Sequence, residues 1–158
     1  MQLCKQVLYL IHMEIIEAKT ATIQMIGANI LLCTMKKNAE VDAEAVTENH
    51  EIAKHLTGGE RHVSLVDARK HAILTDEAKK TATNPELYAN VIAQAVVITS
   101  LTTRLLVNFI MSFTKQNSKM EMKMFNDYDE ALIWLKVKLM EEQVSRGMEK
   151  YKGKLKGR

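Results

Sequence analysis

The stretch from Ala93 to Trp134 constrains the fold of this chain more than any other part of its sequence. A buried-strand pattern ends near Ile98, and a helical pattern follows from Leu101 to Phe113. Methionine then alternates with charge from Met120 to Phe125, which is typical of a strand with one wet face near a sheet edge. A second helical pattern begins at Tyr128. Strands and helices that alternate over such short connections predict a mostly parallel sheet with right-handed crossovers.

The residues before this stretch extend the same pattern. Residues 20–26 alternate between apolar and polar side chains and residues 30–35 are mostly apolar, which predicts an antiparallel hairpin. Asp42 is a favourable N-cap and Gly58-Gly59 a favourable stop, so a helix is predicted between them. His62–Asp67 then predicts an interior strand.

The second half contributes two further boundaries. Thr75 is predicted to cap a helix, and Asn84-Pro85 to restart the chain after it. Residues 94–99 predict a buried strand, and Thr102 or Thr103 opens the next helix. The expected inner face of that helix consists of Leu105, Leu106, Phe109, Ile110 and Phe113. The predicted fold is therefore a single α/β domain, β-β-α-β-α-β-α-β-α, with an antiparallel N-terminal hairpin and helices packed against the sheet.

The length of 158 residues suits one domain. We expect residues 1–12 to form an N-terminal extension, dispensable if translation starts at Met13, and residues 13–140 to form the α/β domain. Residues 141–158 are expected to be a helical extension and a basic tail. The tail carries Lys150, Lys152, Lys154, Lys156 and Arg158 without an acid. It is predicted to be frayed and solvated, with weak contact to acidic lipid or nucleic acid as the alternative.

Composition narrows the class of protein. The net charge of +3 does not indicate specific nucleic-acid binding. No apolar run approaches the ~20 residues of a membrane span. Cys4 and Cys33 have no metal-ligand spacing, and two cysteines make no disulfide framework, so we expect a cytoplasmic protein.

Motifs for catalysis and cofactors are missing from the sequence. It has no Gly-rich phosphate loop, no nucleophile elbow and no His-Glu-x-x-His motif. His50 and His55 are five residues apart, which places them on different faces of a helix. We therefore expect no catalytic residue, no metal and no cofactor.

Five polar residues follow predicted strands or open predicted helices: Asp67, Arg69, Thr75, Ser100 and Arg104. The carboxyl ends of parallel strands meet at one edge of a sheet, and ligands of open α/β sheets bind there. Thr75 also lies at the N-terminus of a predicted helix, where the binding of an anion is favoured. These residues are the candidate site for a ligand, a partner or phosphorylation. The alternative is that Thr75 only caps its helix while Asp67 and Arg69 pair with neighbours.

The element order resembles the STAS-like domain, the fold of anti-sigma-factor antagonists and of the cytoplasmic part of sulfate transporters. It is most similar to small stand-alone bacterial STAS-like proteins of uncharacterised function. The matching segments are Leu56-Thr-Gly-Gly59, Val63-Ser-Leu-Val-Asp-Ala-Arg69, Ala93-Gln-Ala-Val-Val-Ile98, Leu106-Val-Asn-Phe109 and Lys123-Met-Phe-Asn-Asp-Tyr-Asp-Glu-Ala-Leu-Ile-Trp-Leu135.

The resemblance implies a regulatory or interaction role. In anti-sigma-factor antagonists, a partner kinase phosphorylates an aspartate-serine pair at the corresponding helix start. Here the order is Thr75 then Asp76, so Thr75 corresponds by position alone.

Three functions follow as expectations. The first is a non-enzymatic interaction domain, with a homodimer as one candidate assembly. The second is a binder of lipid or another small apolar ligand, because the STAS fold is similar to the lipid-transfer CRAL-TRIO fold. The third is an enzyme, which would need Asp67, Arg69, Thr75 and Arg104 to enclose a pocket.

Overall fold

A computed structural model describes residues 14–117 and 119–156, so the expected N-terminal extension of residues 1–12 lies outside the described residues. The strands are β1 (Ile15–Glu17), β2 (Ala21–Gly27), β3 (Ile30–Met35), β4 (Glu40–Val41), β5 (His62–Asp67), β6 (Ile73–Leu74), β7 (Val91–Val97) and β8 (Glu121–Phe125). The helices are α1 (Ala43–Thr57), α2 (Asp76–Ala82), α3 (Leu101–Asn117) and α4 (Tyr128–Lys156), and a 3₁₀ turn covers Pro85–Tyr88.

The main sheet has six strands in the order β1-β2-β3-β5-β7-β8. The strands from β3 to β8 pair in parallel, whereas β1, β2 and β3 pair antiparallel. This arrangement confirms the predicted α/β class and the position of β8 at an edge. The pattern did not predict β1 or the separate two-stranded pair of β4 and β6, because two or three residues are too few to show a period.

Helix α1 begins and ends where its sequence predicts. The Asp42 carboxylate accepts a hydrogen bond from the Ala45 backbone N–H at 2.8 Å, which satisfies one free donor of the first turn. Gly58 and Gly59 have φ of 61° and 73°, a left-handed conformation that favours glycine. The chain therefore turns sharply into β5.

The helices cover the two faces of the sheet unequally. Among the described elements, α4 covers one face and packs Ala131 and Leu135 against Leu65 of the central strand β5. Helices α1, α2 and α3 lie on the other face, where Ala45, Ala78 and Val107 join the core. Over the described residues, the domain thus has three layers, with one helix on one side of the sheet and three on the other.

The predicted inner face of α3 was wrong for three of its five residues. Leu105, Phe109 and Phe113 are 63%, 47% and 43% exposed. The buried row of α3 instead runs through Thr103, Val107 and Ile110, with Leu106 half-buried. This helix carries apolar side chains on two rows, and periodicity cannot decide which row meets the sheet.

Helix α4 continues well beyond the sheet. Every described side chain from Gln143 to Lys154 is exposed, and the backbone remains helical to Lys156. The helix thus continues through the predicted helical extension, and it includes the basic residues up to Lys156, where the sequence predicted a frayed tail. Because an isolated helical segment of this length is only marginally stable in water, its stability depends on the contacts that it makes.

Candidate functional site

Asp67 and Arg69 form an ion pair with each other at the carboxyl end of β5. The Arg69 Nε and Nη2 atoms donate to Oδ1 and Oδ2 of Asp67 at 2.9 and 2.7 Å. These hydrogen bonds hold the pKa of the Asp67 carboxyl below its ordinary value. The guanidinium also lies 5.7 Å from the ring centroid of Tyr128 on α4. This geometry ties the strand end to α4.

The other three candidate residues make local contacts. Thr75 Oγ1 accepts from the Ala78 backbone N–H at 3.1 Å and so caps α2. Ser100 Oγ lies 3.5 Å from the Thr103 backbone N–H at the start of α3. Arg104 Nη2 donates to Asn126 Oδ1 at 2.6 Å.

Direct side-chain hydrogen bonds connect only Asp67 and Arg69 among the five residues in the described structure. Within residues 14–117 and 119–156, no side-chain hydrogen bond or ion pair joins Thr75, Ser100 or Arg104 to Asp67 or Arg69. Their side chains instead secure the ends of a strand, two helices and a loop.

Replacing Arg69 with Met should lower the free energy of unfolding by about 1–2 kcal/mol at neutral pH, because the nearly buried Asp67 carboxylate loses its partner. Adding Asp67→Asn should recover most of the loss. The folded pKa of Asp67 is lowered, so its contribution to stability is present above its ordinary pKa of 3.8 and disappears as the pH falls through the folded value. The deficit of Arg69→Met should therefore shrink in acid, as urea unfolding at neutral and acidic pH would measure. A deficit independent of pH would contradict this role.

A cavity of about 450 Å³ lies over the central strands, between α1 and α3. Of the strands, helix α1 packs chiefly against β2 and helix α3 against β8, so the strands between them are left partly uncovered. The lining is mostly apolar and includes Leu31, Val46, Ala53, Val66, Val96 and Val107. Its volume falls within the roughly 300–1,000 Å³ of small-molecule sites.

A few polar groups face this apolar space. Ser64 on β5 and Gln94 on β7 line its floor, where an apolar residue would be expected in a buried strand. The Asn49 Oδ1 atom on α1 is buried and has no hydrogen-bond partner in the described structure. An unpaired buried acceptor costs free energy, which a ligand with a donor group would recover.

Burial favours the neutral forms of three titratable groups around the cavity. Burial raises the pKa of the Cys33 thiol and of the Tyr88 hydroxyl, each to about 12. The Tyr88 hydroxyl donates to the Ala82 carbonyl at 2.7 Å. Burial lowers the pKa of His62, whose Nδ1 lies 2.9 Å from the Glu60 carbonyl oxygen. The exposed Lys54 and Glu86 and the half-buried His50 also line the space.

Cys33 should react with a small alkylating reagent about 100-fold more slowly in the folded chain than in the urea-unfolded chain at pH 8. The thiolate is the nucleophile, and a pKa of about 12 leaves little of it. The measurement uses the Cys4→Ser chain, in which Cys33 is the remaining thiol. Similar rates in the folded and unfolded chains would show that Cys33 is not enclosed.

Sequence reasoning missed this cavity, although one signal was present. Ser64 and Gln94 are polar residues at inner positions of strands that are otherwise mostly apolar. Paired on neighbouring strands, they mark the floor of the space. The periodicity of the sequence, however, cannot show that α1 and α3 are separated above these two residues.

The described residues form neither a metal site nor a membrane-spanning helix. In the described part of the chain, no group of three or more His, Cys, Asp or Glu side chains is placed to hold a metal ion. No helix among the described residues is both long and apolar enough to cross a membrane.

Comparison with known proteins places the chain in a family. A model of the family described as "Domain of unknown function (DUF7793)" matches residues 24–138, from β2 into α4. The match spans most of the chain and includes the strands and helices around the cavity. No curated protein and no solved structure matches the chain significantly. By the extent of this match, the chain belongs to the DUF7793 family.

Proposed function

We propose that this chain is a non-enzymatic binding domain whose ligand is a small, largely apolar molecule held between α1 and α3. The observation that carries the proposal is the cavity of about 450 Å³ with a mostly apolar lining, in which burial favours the neutral forms of Cys33 and Tyr88. A ligand with an apolar body and one hydrogen-bond donor would suit it, because Asn49 Oδ1 offers an unpaired acceptor.

The fold family and the cellular location of the chain are also part of this proposal. The order of strands and helices supports the resemblance to STAS-like domains, and through them to the lipid-transfer fold. A reducing cytoplasm is the proposed location, since Cys33 is a free thiol packed among apolar neighbours.

Titration with straight-chain alcohols and carboxylic acids of about eight to twelve carbons, a size range suited to such a cavity, would test ligand binding. We expect saturable binding of one molecule per chain, with the alcohol preferred because it donates to Asn49 Oδ1. Asn49→Leu should remove that preference while retaining the affinity for the acid. Asn108→Leu, on the exposed side of α3, is the matched control. Absence of saturable binding for the whole series would contradict the proposal.

Mediation of protein–protein interaction is the second candidate function. The observation that favours it is the number of large apolar side chains exposed on α4, among them Ile133, Met140 and Val144 at 62%, 64% and 62%. Affinity capture combined with a measurement of molecular mass would test it. A strictly monomeric chain that recovers no partner under varied conditions would count against it.

A further inference from the structure

The outer face of α4 carries a continuous apolar stripe. Its six members are all 46% or more exposed: Ile133, Val137, Met140, Val144, Met148 and Tyr151. At 3.6 residues per turn they fall within an arc of about 80° and extend roughly 27 Å along the helix. The spacing of three and four residues is that of a helix-pairing seam.

The stripe points directly away from the domain. Ala131 and Leu135, which are fully buried against the sheet, lie on the opposite side of the same helix. Because α4 is the helix that covers this sheet face, a partner laid along the stripe would meet α4 and not the body of the domain.

Charge is distributed along α4 with opposite signs at its two ends. Asp129 and Glu130 lie in the first turn, beside the start of the stripe. Lys150, Lys152 and Lys154 lie beside its end and are all exposed. Two such helices side by side in parallel would bring lysines against lysines, whereas antiparallel helices bring the acidic end of each against the basic end of the other.

We propose that α4 pairs with α4 of a second copy of this chain, antiparallel and centred near Glu142. This inference deepens the second candidate function by naming the partner. The centring brings members of the stripe near one another across the pair, and the acidic end of each helix near the basic end of the other. It places Ile133 opposite Tyr151, Val137 opposite Gly147, Met140 opposite Val144, and Glu130 opposite Lys154 of the other copy.

Gly147 fits this pairing. Glycine inside a solvent-facing helix is less favourable than alanine by about 1 kcal/mol. An added Cβ at Gly147 would meet no atom within 4 Å in the single chain. At the edge of the stripe, however, a glycine allows the backbone of a second helix to approach, and Val137 of the other copy lies opposite it.

Self-association also accounts for the length of α4. From Gln143 to Lys154 the helix has no buried side chain in the single chain. Two copies would bury twelve large apolar side chains along the paired segment, which supplies the tertiary contact that a helix in water needs.

Sedimentation equilibrium of the full chain tests the pairing. We expect a dimer at micromolar concentration. Val144→Glu should make the chain monomeric, because each copy would place a carboxylate against Met140 of the other. Ser145→Glu adds the same charge beside the stripe on the same helix and should leave the dimer intact. Circular dichroism would verify that both variants keep the fold.

Cysteine crosslinking in a Cys4→Ser background tests the orientation. Val137→Cys and Gly147→Cys chains should form an oxidised dimer when mixed, and neither should crosslink efficiently alone. Crosslinking of each variant with itself would overturn the antiparallel orientation. A monomeric wild type, or a Val144→Glu chain that remains dimeric, would overturn the pairing. If that monomer still captured another protein, the interaction function would survive without this partner.

Discussion

Leu135→Ala is expected to lower the free energy of unfolding by about 3 kcal/mol, the largest effect on stability that we predict. Leu135 is fully buried and belongs to the cluster that joins α4 to the central strands. Its truncation removes apolar contacts and leaves a void that the rigid strands beneath cannot fill.

The matched control for this substitution is Leu101→Ala. Leu101 is also helical but 72% exposed, so its truncation should change stability by less than about 0.5 kcal/mol. Urea unfolding followed by circular dichroism would compare the two variants. Equal losses in both would mean that α4 is not anchored to the sheet through Leu135.

Val66→Phe is expected to weaken the binding of an apolar ligand by at least about tenfold, the largest effect on function that we predict. Val66 lies on the central strand β5, is half-buried and lines the cavity. A phenyl ring there would occupy space that the ligand needs. Because the ring fills a void and does not displace a neighbour, stability should be unchanged or slightly raised.

The control adds an equivalent ring outside the cavity. Ile15→Phe, on the edge strand β1 at a position that is 56% exposed, should bind the ligand as the wild type does. Titration of the same alcohol against all three chains would measure the difference. Unchanged affinity in a folded Val66→Phe chain would place the ligand elsewhere.

The ends of several helices were predictable from the sequence because they depend on local interactions. Asp42, the Gly58-Gly59 pair and Thr75 mark helix ends by their own conformational and hydrogen-bonding preferences, which need no tertiary information. The strand His62–Asp67 was predictable because its side chains are buried on both faces of the sheet.

The orientation of α3 was less predictable. Leu105 and Phe109 are as apolar as Leu106 and Ile110, and only packing against β8 and β7 determines which row is buried. A helical pattern predicts the buried face when only one face is apolar, but α3 has two apolar faces.

The candidate site was predictable only in part. Parallel topology correctly placed Asp67 at a strand end, but hydrogen bonds to nearby groups occupy Arg69, Thr75 and Arg104. The cavity depends on the separation of α1 and α3, which are distant in sequence. Ser64 and Gln94 were the polar exceptions that could have indicated it.

Native mass spectrometry of the chain purified from its own cells tests the ligand-binding proposal most directly. We predict an excess mass of one small apolar molecule per chain, lost on denaturation and reduced in the Val66→Phe chain. A bare mass for the wild-type chain, together with no saturable binding of the alcohols or acids, would contradict the account.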